Sequence, residues 1–207
     1  MTLAPSASPA AITPTLADRV LPRTAVNNAV LIGAGTALVA LLAQVAVPLW
    51  PVPITGQTLA VMLVGATLGA WRGAASLALY LALGLAGLPI FAGASAGLAP
   101  SFGFIIGFVP AAALIGWLAE RTWDRRPVLS LLGFLGASIV PFLFGVPYLA
   151  VALGQLGLPN DVPAVLQAGV TPFLLGGLIK WLIAAAALPT LWSLVRRADE
   201  RAARDRD

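Results

Sequence analysis

Lys180 is the one charged side chain set deep inside a long apolar run, about ten residues past Val170. An ammonium there faces a cavity and an oxygen partner, or snorkels to the interface. It has three N–H donors and no acceptor, so the chemistry it suits is capture of a carboxylate or carbonyl oxygen. Gly176 and Gly177 stand one turn before it and Ala184 one turn after, leaving space beside it on a helix face.

Other candidate groups lie in three stretches between apolar runs. The first reads Pro48-Leu49-Trp50-Pro51-Val52-Pro53-Ile54-Thr55-Gly56-Gln57-Thr58. Alternating prolines fix φ and remove donors, which predicts a stiff extended loop. Its apolar residues favour packing down over a helix bundle as a lid. The alternative is an interfacial anchor through Trp50. The second stretch, Gly87 to Phe104, is rich in Gly, Ala and Ser and carries Phe91, Ser95 and Ser101. Its small residues permit close backbone approach to a ligand. The third, Gly154 to Thr171, holds Gln155, Asn160, Asp161 and Gln167. Polar side chains gathered this way suit a cavity open to one side.

The chain has 207 residues with no Cys and no His. Thiol nucleophiles, His-based triads and Cys or His metal clusters are therefore excluded. There is no phosphate loop of the G-x-x-x-x-G-K-[ST] kind. The apolar runs carry no carboxylate pair for acid–base work. The sequence predicts no enzyme, no cofactor and no metal. The basic residues form no nucleic-acid patch.

The elements that position these groups follow from composition. Hydrophobic residues make up 59% and charged residues 10%. A soluble domain carries about a quarter charged residues, so the reading is an all-α integral membrane protein in a lipid bilayer. Spans are expected at about 25–47, 57–70, 73–88, 102–119, from 128 onward, and 170–195. The turn between the second and third falls at Gly69-Ala70-Trp71-Arg72-Gly73. Pro141 and Pro147 predict a kink or break in the fifth. Six spans put both termini on one side. Eleven of the twelve Lys and Arg residues then share that side, and Lys180 is the exception. The positive-inside rule makes it cytoplasmic. The division is a flexible cytoplasmic tail over 1–24, a transmembrane domain over 25–195 and a charged cytoplasmic tail over 196–207. In the first span Ala25, Ala29, Gly33 and Ala37 recur every fourth residue. Such a ladder serves close internal packing or docking of a separate membrane subunit.

The string Pro48 to Val61 resembles the first-loop signature of the BioY family, P-x-x-P-V-P-[IV]-T-x-Q-T-[LF]. Gly84 to Gly93, Gly97 to Phe104, and Gly145-Val146-Pro147-Tyr148-Leu149 are similar to further family segments. Pro172 to Lys180 resembles the family's P-F-x-x-G-D-x-x-K, except that Gly177 stands where the family has an acid. The resemblance covers about residues 27–190 in order. It implies the biotin-binding S component of an energy-coupling-factor transporter: a multi-pass, six-helix bundle of the bacterial inner membrane. The expected partners are biotin, a transmembrane coupling subunit and a pair of cytoplasmic ATPases. Gln57, Thr55 and the Trp50 loop would close the site. Phe91, Ser95, Ser101, Phe104 and Tyr148 would shape it, and Lys180 would anchor either end of biotin. Gln57, Asp161 or backbone carbonyls would replace the acceptor missing at Gly177. Ala29, Gly33 and Ala37 would meet the coupling subunit. An S component for another vitamin, or a membrane scaffold without a small ligand, are the alternatives.

Overall fold

The computed structural model describes residues 13–204, with side chains to 197. The elements run α1 (Leu16–Val20), α2 (Ala25–Ala43), β1 (Ala46–Val47), β2 (Ile54–Thr55), α3 (Gln57–Leu68), α4 (Ala70–Leu85), α5 (Phe102–Ala119), α6 (Pro127–Gln155), α7 (Val162–Gly169) and α8 (Phe173–Arg204). α2, α5, α6 and the stretch containing α8 are long and apolar enough to cross a membrane. α3 and α4 are apolar but shorter, at 12 and 16 residues.

Local chemistry sets these boundaries. The Thr24 hydroxyl accepts the Asn27 N–H at the start of α2, one of the donors a helix leaves unpaired. Only Gly69 separates α3 from α4. Its φ of +87° and ψ of 175° lie in a region essentially closed to other residues. The expected five-residue turn is thus one residue, and α4 starts early. The Ala70 N–H at its head donates to the Glu120 carboxylate at 2.9 Å.

α6 runs unbroken through Pro141 and Pro147, so of the expected kink or break the break does not occur. Gly107 of α5 lies against it: a Cβ there would come within 2.5 Å of the Pro141 Cα. Close packing by a neighbouring helix supports the stretch where proline removes a hydrogen bond. α5 is the central helix, packed against α3, α4 and α6. The core includes Val39, Ala60, Leu77, Ala112, Leu149 and Leu188. Large apolar side chains such as Val30, Leu143, Val151, Leu175 and Leu182 face outward, as lipid contact requires.

The segment after α2 is not a simple extended loop. Ala46 pairs with Thr55 and Val47 with Ile54, so the prolines occupy the tip of a short antiparallel hairpin. The third stretch also contains a helix, α7.

At the other end of the bundle, residues 13–24, expected as part of a flexible tail, are built into the fold. Residues 1–12 and 205–207 lie outside the described residues. α1 buries Leu16 and Ala17. Asp18 accepts from Arg72 at 2.7 Å, and both side chains are 5% exposed. Arg23 also donates to Asp18 at 2.7 Å, and the Thr15 N–H does so at 2.9 Å. Arg72, expected in an interfacial turn, is therefore a buried member of a clasp joining α1 to α4. An arginine this deep needs a carboxylate, and α1 supplies it. Burial alone would raise the Asp18 pKa, but hydrogen bonds from Arg23, the Thr15 N–H and Arg72 outweigh it and hold the carboxyl well below the ordinary range.

Candidate functional site

α8 carries Lys180 to the inner wall of a cavity of about 610 Å³. Lys180 is the only charged side chain among the described lining residues. Its ammonium donates to the Thr55 carbonyl oxygen at 2.5 Å and to the Thr58 hydroxyl at 3.0 Å. An ammonium has three donors, so one remains beyond these two. The chain's hairpin and the start of α3 therefore supply the oxygens that satisfy this charge.

The hairpin covers one side of the cavity with Leu49, Trp50, Pro51, Val52 and Pro53. Trp50 is largely exposed and Val52 is buried. Behind them the Thr55 hydroxyl donates to the Gln57 Oε1 at 2.8 Å. The Gln57 Nε2 donates to the Tyr80 hydroxyl at 2.7 Å, and that hydroxyl donates to the Ile90 carbonyl at 3.1 Å. Gln57 is 5% exposed. Its amide thus ties the hairpin to α4 and to the loop after it, and both polar ends have protein partners.

Phe91 is buried on the cavity wall. Its ring lies edge-on to Tyr80, centroids 5.2 Å apart. Ser95 is exposed at the rim, and its hydroxyl donates to the Ala92 carbonyl at 2.9 Å. Ser101 and Phe104 line the cavity, and Phe104 packs with Phe142 and Phe173 at 5.6 and 6.2 Å. A mostly apolar cavity of this volume with a few convergent polar groups is the ordinary form of a small-molecule site. Its single cation suits an organic ligand with an apolar body and an oxygen acceptor.

A model of the BioY family matches residues 13–197. The chain belongs to the BioY family. It is 39% identical to the Biotin transporter BioY of Rhodobacter capsulatus over 183 residues, 80% of this chain and 93% of that protein. Against the Biotin transporter BioY of Thermotoga maritima it is 35% identical over 157 residues, 74% of this chain and 88% of that one. A solved structure, the S-component for biotin from an ECF-type ABC transporter, matches with a TM-score of 0.62 and 25% identity. That match covers 84% of this chain and 94% of the other.

In this BioY-family chain the cavity gathers Trp50, Thr55, Gln57, Phe91, Ser95, Ser101, Phe104, Gly177 and Lys180 from the expected site. Tyr148 and Asp161 lie outside the lining. Tyr148 packs behind it against Phe102, centroids 5.8 Å apart. Asp161 is exposed at the N-cap of α7, so this helix holds it outside the lining. Asp161 therefore supplies no acceptor to the cavity.

Sequence reading missed Thr58, Ser138, Phe142, Phe173 and Trp181. A signal existed for Trp181: it lies one helical turn past Gly177, where a long side chain points back over the glycine. Ser138 gave none, because it sits alone in the apolar run of α6.

Ala29, Gly33 and Ala37 are exposed on α2. A Cβ built at Gly33 would meet nothing within 4 Å. This face is open, and of the two uses of the ladder internal packing is not the one seen.

Proposed function

We propose that this chain is the biotin-binding membrane component of a biotin uptake transporter, taking biotin from the outer side without chemistry. The relatives named as biotin transporters support the ligand. The observation that carries the reading is the placement of Lys180 inside an apolar cavity beneath the proline-rich hairpin. Biotin offers a carboxylate and a ureido carbonyl, and the ammonium donates to either. The apolar rings and valeryl chain suit the aromatic walls.

In this reading the hairpin over 44–56 is a lid. Six helices, α2 to α6 and α8, cross the inner membrane, with both termini cytoplasmic. The charge distribution supports that orientation. The open small-residue face of Ala29, Gly33 and Ala37 docks the transmembrane coupling subunit, which links the chain to a pair of ATPases. A second reading, an S component for another vitamin, draws on Gly177, which leaves the cavity without a carboxylate acceptor. The scaffold reading calls for no cavity under residues 48–58, and the cavity there counts against it.

Titration calorimetry of the purified protein in detergent tests the choice. Saturable biotin binding that Lys180→Ala strongly weakens is the expected result. Silence toward biotin with binding of another vitamin would replace the first reading by the second. Growth of a biotin auxotroph on trace biotin, with and without coupling subunits, tests the partners.

A further inference from the structure

Trp181 and Gly177 share one face of α8, four residues apart. A Cβ built at Gly177 would lie 3.4 Å from the Trp181 Cζ2. The indole therefore folds back over the glycine, as long helical side chains do. A Cβ at 177 would thus sit in van der Waals contact with the ring. Across the cavity wall, the Trp181 Nε1–H donates to the Ser138 hydroxyl of α6 at 2.6 Å. That hydroxyl in turn donates to the Phe134 carbonyl at 2.6 Å. The serine is thus held by its own helix while it holds the indole. Ser138, Gly177, Lys180 and Trp181 all line the same cavity.

Lys180 and Trp181 are neighbours in sequence but are held from different sides. The ammonium is held by Thr55 and Thr58, and the indole by Ser138. The polar end of a ligand at Lys180 therefore leaves its body beside a wall whose position depends on one hydroxyl. We propose that Ser138 is a positioning residue that holds Trp181 over Gly177 and so determines which ligand bodies fit beside Lys180. This rests on the biotin reading above and deepens it. Gly177 then has a role of its own as the seat of the indole. An indole can stack on a ring system and offers a polarisable surface to a ring sulfur.

The test compares biotin with desthiobiotin, which keeps the ureido ring and the tail but lacks the sulfur ring. Dissociation constants are measured in detergent for wild type, Ser138→Ala, Ser138→Thr, Trp181→Phe and the Ala/Phe double variant, with thermal unfolding alongside. Loss of the hydroxyl frees the indole, and biotin binding falls about tenfold. The preference for biotin over desthiobiotin shrinks in Ser138→Ala and in Trp181→Phe. Ser138→Thr, which keeps an acceptor, restores it, and the double variant is no worse than Trp181→Phe alone. An unchanged preference in Ser138→Ala, or additive losses in the double variant, would overturn the proposal. A general loss of stability moves both affinities together and leaves the preference unchanged, which counts against it too. Wild-type protein that binds neither ligand would instead sink the biotin reading.

Discussion

The Lys180 ammonium donates to the Thr55 carbonyl oxygen at 2.5 Å across 125 residues of chain. The same ammonium reaches the hydroxyl of Thr58, the second residue of α3. One cation thus joins α8 to the base of the hairpin and also lines the cavity. Replacing it affects ligand capture and closure together. Lys180→Met keeps the apolar stem but removes every donor. Its affinity for biotin should fall about ten- to a hundredfold, from loss of a hydrogen bond to a charged group worth about 1.5–3 kcal/mol. Thr58→Val should cost less, since Thr55 still holds the ammonium. Calorimetry on both variants checks the order.

Tyr80 is fully buried and stands between the Gln57 amide and the Ile90 carbonyl. Tyr80→Phe leaves the Gln57 N–H without an acceptor in a buried site. That costs about 1–3 kcal/mol. Thermal unfolding in detergent should show a clear drop for Tyr80→Phe. Unchanged unfolding would mean that another group takes the amide.

Phe91 lies directly on Gly84, where a Cβ would come within 2.0 Å of the ring. Gly84→Ala must push Phe91 off the cavity wall. Biotin affinity should therefore fall although Gly84 does not line the cavity. The paired variant Gly84→Ala with Phe91→Leu should recover part of it, read by the same titration.

The clasp at the opposite end responds to charge. Asp18→Asn leaves Arg72 buried without a full counter-charge, and removing one partner of such a pair costs about 3–5 kcal/mol. The pH dependence has a definite sign. Asp18 has a depressed folded pKa, so its contribution is fully present above the ordinary carboxylate value of about 3.9. It is lost only as pH falls through the lower folded value. Unfolding followed from neutral to mildly acid pH should show no loss from this group.

Asp124, in the turn between α5 and α6, is the opposite case. Burial raises its pKa, and a hydrogen bond from Trp192 and the charge of Arg125 oppose this only in part. Its second oxygen is buried without a partner. The ionised form therefore disfavours the fold. Asp124→Asn keeps an acceptor for the Trp192 N–H and should unfold no earlier than wild type at neutral pH. Asp124→Ala, which strands that N–H, should unfold earlier.

The long apolar runs made α2, α5, α6 and α8 legible, because a bilayer rewards continuous hydrophobicity. Lys180 was legible for the complementary reason, as a charge with no topological role. The clasp was not. Arg72 read as an interfacial charge and Asp18 fell within the expected flexible tail, and only tertiary packing brings them together across 54 residues. The hairpin was hidden because prolines at its tip mask two short strands. Gln57 was placed at the site, but its amide partner Tyr80 lies on another helix, beyond any local pattern. Tyr148 was drawn in by a family motif and Asp161 by the polar stretch around it, and helix geometry keeps both out of the lining.

The clasp also bears on how the chain is made. Asp18 emerges during synthesis 54 residues ahead of Arg72. Between them lie all of α2, the hairpin and α3. The pair closes only after these and the head of α4 have been made. Until then Arg23, made five residues after Asp18, is the charge beside that carboxylate. The first half of the bundle is thus locked at its base by a carboxylate made before α2 and an arginine in the first turn of α4.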